Sequence, residues 1–101
     1  MLPQETINDT NKFALEGALD AQMIGPIQKQ FQDLLDGSKE DVTLDLSNVN
    51  FMDSSGVGSI VFLYKRLTSE NRALTLVGLN GQPKKIIKFL RIDKIISVTD
   101  S

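Results

Sequence analysis

Between Val42 and Leu67 the chain reads as a buried strand, a short connection and a long amphipathic helix, and everything else must be fitted around that unit. Val42, Leu44 and Leu46 alternate with Thr43 and Asp45, which is strand periodicity. Ser47-Asn48-Val49-Asn50 has the composition of a turn, and Phe51 and Met52 are expected to dock the connection onto the core. Asp53 is a good N-cap, because its carboxylate can accept from the free amides of a first helical turn. Beyond it, Val57, Ile60, Val61, Tyr64 and Leu67 have the spacing of one helical face.

At about 100° per residue, Ser55, Ser59, Phe62 and Arg66 gather on the opposite side of that helix. A phenyl ring aligned with a serine at a helix entry fits a docking surface; equally, Phe62 could pack under a neighbouring loop or helix. Gly56 and Gly58 lie in the first turns, where each costs up to about 1 kcal/mol relative to alanine. Close packing of the helix on its own sheet would explain them. A flat, accessible platform around the Ser55 hydroxyl is the preferred reading. A phosphoryl group there would bring about −1.5 to −2 charges. The helix amino terminus would partly accommodate it, and Asp53 would oppose it.

The remaining elements follow in order. Glu5–Asn8 could form a short edge strand, and residues 11–15 a second one with Phe13 and Leu15 on one face. Glu16–Asp20 is a turn, and Asp20 an N-cap for a first helix to about Leu35, with Ile24, Ile27, Phe31, Leu34 and Leu35 as its stripe. Pro26 belongs in its first turn and Gly37 at its end. Ala73–Val77 is a strand and Gly78–Gln82 a loop. Pro83 starts a third helix, with Ile86, Ile87 and Leu90 inward and Lys84, Lys85, Lys88 and Arg91 largely outward. Ile95–Val98 could be a last strand. Helices alternate with strands, so the expected fold is a single α/β domain over residues 1–101: a mixed, mainly parallel sheet of four or five strands with helices packed on it.

Composition narrows the chemistry. The chain has no histidine and no cysteine, which removes Ser-His-Asp and Cys-His catalysis and zinc sites of the usual ligand types. No phosphate-binding loop is present, and Gly56-Val57-Gly58 lacks the third glycine of a dinucleotide fingerprint. Asp45 and Asp53 are better read as capping or solvated groups than as metal ligands. The expectation is a non-enzyme without a cofactor. No apolar run approaches a membrane helix, and the absence of cysteine fits the cytoplasm. Net charge is −2, which argues against a dedicated nucleic-acid binder. It is unevenly spread: the first 53 residues hold 3 Lys and Arg against 10 Asp and Glu, the remainder 8 against 3. The basic third helix reads as a solvated face, with an acidic partner as the alternative.

The run Leu44-Asp45-Leu46-Ser47, Phe51-Met52-Asp53-Ser54-Ser55-Gly56 and Gly58 resembles the STAS domain, in particular bacterial anti-sigma factor antagonists. Leu15–Ala21 looks like the family's Gly-x-Leu-Asp turn, and Leu76-Val77-Gly78-Leu79 like its later strand and exit. The resemblance covers nearly the whole chain. It implies binding to a serine kinase that doubles as an anti-sigma factor. The kinase would phosphorylate the second serine of the motif, Ser55, and so dissociate the pair. A metal-dependent serine phosphatase would restore the hydroxyl. Asp53, Ser54, Gly56, Gly58, Ser59 and Phe62 are the expected partner-binding residues, with Asp20 at the border. The alternative is a STAS regulatory subunit of a transport ATPase or a signalling scaffold, with no phosphoswitch.

Overall fold

In the computed structural model, which describes residues 12–37 and 39–99, the chain runs through eight elements. They are β1 (Lys12–Leu19), α1 (Ile24–Gly37), β2 (Val42–Met52), α2 (Ser54–Ser69), β3 (Leu74–Val77), α3 (Gly81–Phe89), a 3-10 turn (Ile92–Lys94) and β4 (Ser97–Thr99). The strands lie in the order β1-β2-β3-β4 and every described pairing is parallel. The sheet is therefore parallel throughout the described residues. The expected edge strand Glu5–Asn8 lies outside them. Each strand-to-strand crossover carries a helix, as parallel neighbours require.

β2 is longer than its periodicity indicates. Its buried positions are Val42, Leu44 and Leu46, then Val49 and Met52, so the interval changes from two residues to three. The register against β1 shifts twice: Asp45 faces Ala14 while Asn48 faces Glu16, and Val49 faces Gly17 while Phe51 faces Ala18. Each shift inserts one extra residue into β2, a bulge that returns the next apolar side chain to the core. Ser47–Asn50 is thus strand, not turn. The second bulge leaves Phe51 44% exposed and buries Met52, so Met52 alone docks on the core. Opposite, Glu16–Leu19 is also strand rather than turn, with Gly17 at φ +82° beside the second shift.

The first bulge is built from side chains. The Asp45 carboxylate accepts from the Ser47 N–H at 3.0 Å and the Ser47 hydroxyl at 2.7 Å. These two bonds, with a smaller contribution from Lys12, hold the Asp45 carboxyl below its ordinary range. Gly78 leaves β3 at φ +77° and passes directly over the bulge; a Cβ there would lie 2.8 Å from the Ser47 Cβ. Asn80 then donates to the Ser47 carbonyl at 3.2 Å.

One core joins the elements. Leu44, Leu46 and Leu76 from the sheet pack with Phe31 of α1, Ile60, Leu63 and Leu67 of α2, and Ile87 of α3. Each such side chain contributes about 1.5–3 kcal/mol on burial. The buried Arg72 guanidinium ties the helix ends together, donating to the carbonyls of Glu40 (2.8 Å) and Leu35 (3.4 Å) and to the Glu70 carboxylate (3.0 Å). Several boundaries differ from expectation. α1 starts at Ile24, not beside Asp20, and α3 takes in Gly81 and Gln82 ahead of Pro83. Leu90 is exposed, and the last strand begins only at Ser97, after the 3-10 turn.

Candidate functional site

The end of β1, the turn that follows it and the amino termini of α2 and α3 converge on Met52-Asp53. Asp53 takes an extended conformation (φ −108°, ψ −174°) that ends β2 and opens α2. One carboxylate oxygen accepts from the Gly56 N–H at 2.9 Å, the N-cap expected from sequence. The other accepts from the Ala21 N–H at 3.3 Å, and the Asp53 N–H donates to the Leu19 carbonyl at 3.2 Å. Asp53 therefore caps a helix and pins a turn at the same time.

Asp20 shapes that turn. Its carboxylate accepts from the Gln22 N–H at 3.1 Å, and its carbonyl accepts from the Met23 N–H at 2.9 Å. It caps its own turn instead of α1. It borders Asp53 through its neighbour Ala21.

On the other flank, the Gln82 side-chain amide pairs with the Met52 backbone. The Met52 N–H donates to Gln82 Oε1 and Gln82 Nε2 donates to the Met52 carbonyl, both at 2.8 Å. The paired length of β3 ends opposite Asp45, so a side chain does at Met52 what a neighbouring strand does elsewhere.

Ser54, Ser55 and Gly58 are exposed. Among the described residues no side-chain hydrogen bond engages the Ser54 or Ser55 hydroxyl, whereas those of Ser47, Ser59 and Ser69 all donate within the domain. Phe62, two turns along from Ser55, is 49% exposed and does not pack beneath another element. Exposed Gly58 has open space around its Cα.

Two expected surface residues are interior. Gly56 is buried, and a Cβ there would collide with the Leu19 carbonyl oxygen. It is a packing glycine, not part of a platform. Ser59 is only 4% exposed, and its hydroxyl donates to the Gly56 carbonyl at 2.8 Å. The buried face of α2 is Gly56, Val57, Ser59, Ile60, Leu63 and Leu67, while Val61 and Tyr64 are half-buried. That face is turned by about 60° from the expected one, which moves Ser59 inward and leaves Ser55 and Phe62 outside. Nothing local in the sequence marks Leu19, Ala21 or Gln82, whose contacts here span 30 or more positions.

The surface left at this end is small and weakly acidic, with two free hydroxyls at a helix amino terminus and an aromatic ring on the same helix. It can present a hydroxyl to another protein's active site and bind that protein through shape and apolar contact.

Residues 3–101 match the family model for the STAS domain. The anti-sigma F factor antagonist of Paenibacillus polymyxa is 26% identical over 88 residues, covering 86% of this chain and 75% of the relative. The anti-sigma-B factor antagonist of Staphylococcus aureus is 21% identical over 84 residues, covering 83% and 78%. Among solved structures, a Thermotoga maritima protein described as an anti-sigma factor antagonist superposes with a TM-score of 0.81 at 23% identity, over 90% of this chain and 80% of that one. SpoIIAA, an anti-sigma factor antagonist solved in its unphosphorylated form, gives 0.68 at 21% identity, over 89% and 78%.

Proposed function

The chain belongs to the STAS domain family, and on that premise we propose that it is an anti-sigma factor antagonist working by partner switching. The unphosphorylated form binds a serine kinase that is also an anti-sigma factor. Phosphorylation of Ser55 releases it, and a metal-dependent serine phosphatase returns it to the binding form. The protein is the substrate and ligand of these enzymes and performs no catalysis itself.

The observation that carries this reading is the state of the Ser55 hydroxyl. It is exposed, has no hydrogen bond within the described residues and stands on the first turn of a helix fixed by Asp53. A kinase can reach it without unfolding anything. The added phosphoryl group would meet the positive end of the helix, which limits the effect on stability. Inside a docked interface the same charge is desolvated and faces the nearby Asp53 carboxylate, which opposes binding. Asp53, Ser54, Gly58 and Phe62 form the contact surface, with the Asp20 turn at its edge. Gly56 and Ser59 act from beneath, by setting the height and roll of α2. Ser55 is preferred over the equally exposed Ser54 because it faces the Phe62 side of the helix and matches the second serine of the family motif.

The test is calorimetric titration of a candidate serine kinase of the anti-sigma type with three forms of the protein. The native chain and Ser55→Ala should bind alike, and Ser55→Asp at least roughly tenfold more weakly. Equal binding by all three would remove Ser55 from the interface.

A further inference from the structure

The segment from Lys84 to Ile95 has a surface that the switch does not use. Five cations project from it: Lys84, Lys85, Lys88, Arg91 and Lys94. None forms an ion pair among the described residues. The same segment carries Phe89, 82% exposed, Ile95 at 58% and Leu90 at 43%. Single exposed apolar residues are ordinary, but three large ones within seven positions on a basic element are not. Between α3 and β4 lies a recess of about 330 Å³. Leu79, Ile87 and Val98 line it together with Lys84, Lys88 and Asp93.

We propose that this face is a second docking surface, which takes an acidic segment of another protein with at least one large apolar side chain. Carboxylates of the segment pair with Lys84 and Lys88, and its apolar side chain enters the cavity between α3 and β4. Phe89 extends the contact towards the helix end. The unpaired cations set the sign of the partner. The recess sets its class: a flat lipid headgroup layer cannot fill a cavity between a helix and a strand, whereas a side chain can. Along α3, Lys84 stands about 3 Å and Lys88 about 9 Å from Gln82, which anchors the switch end.

The test uses the full chain, labelled with ¹⁵N, and a synthetic twelve-residue peptide of glutamate, aspartate and leucine. Saturable shifts confined to α3, the 3-10 turn and β4 are expected. Lys84→Glu with Lys88→Glu, and separately Phe89→Ser, should each weaken binding at least roughly tenfold. Both variants change exposed side chains, so their melting temperatures should match the parent's. No saturable shift, or binding insensitive to both variants, would overturn the proposal. So would binding to phosphatidylglycerol vesicles in place of the peptide, or a dimer in light scattering that Phe89→Ser dissolves, which would assign the face to a second copy.

Discussion

Gly56 lies against Leu19 so closely that a methyl group on its Cα would stand 2.8 Å from the Leu19 Cβ and 2.9 Å from the Leu19 carbonyl carbon. This contact, with the Asp53 cap, fixes where the first turn of α2 rests on the end of β1, and therefore where Ser55 faces. Gly56→Ala gains up to about 1 kcal/mol of helix propensity. It should nevertheless lower stability by about 1–3 kcal/mol, because backbone must move. Urea unfolding decides it: an unchanged midpoint would mean that α2 can lift from β1 without loss.

Gln82 and Met52 form a two-bond pair that closes the end of β2. Gln82→Ala leaves the Met52 N–H and carbonyl without these partners and should cost about 1–3 kcal/mol. The Met52 amide should also exchange with solvent faster than its neighbours in β2. Gln82→Glu keeps the acceptor and loses the donor, so it should fall between the two.

Asp45 gives the fold a pH dependence of known sign. Its carboxyl titrates below the ordinary value of 3.8 because of the Ser47 N–H, the Ser47 hydroxyl and, least, Lys12. A carboxylate with a lowered native pKa stabilises the fold above its unfolded pKa, and that contribution is lost as pH falls through the native value. Asp45→Asn should therefore be less stable than the parent at neutral pH. The difference should shrink below about pH 4. Parallel melting curves from pH 7 to pH 2 would show it; a constant difference would assign the effect to packing.

Phe62 is half-exposed on α2 and absent from the core. Phe62→Ala should change stability by less than about 1 kcal/mol and weaken binding of the kinase partner severalfold. A melting point lower by many degrees, with binding intact, would make Phe62 a structural residue.

Much of this arrangement is legible in the sequence. The alternation at Val42–Leu46, the cap at Asp53 and the long amphipathic run beyond it locate the start of β2 and the start and length of α2. Legibility ends where the backbone departs from regular geometry. The two bulges turn a period of two into a period of three, so Ser47–Asn50 imitates a turn while Val49 and Met52 stay buried. Leu63, in the middle of the buried face of α2, shows that apolar spacing alone left the roll of the helix open. Gly56 was ambiguous for a different reason: a glycine that exposes backbone and one that permits close packing look the same until Leu19 is placed beside it. Gln82 carried no local signal, because its partner is 30 positions away.

The central claim is that Ser55 is the switch. It is tested most directly by intact-mass spectrometry of the protein after incubation with ATP, magnesium and the candidate kinase, followed by fragmentation. One added phosphate located on Ser55, absent from Ser55→Ala and removed by a metal-dependent serine phosphatase, is the expected result. No phosphate despite a stable complex with the kinase, or a phosphate on Ser54 that persists in Ser55→Ala, would contradict it.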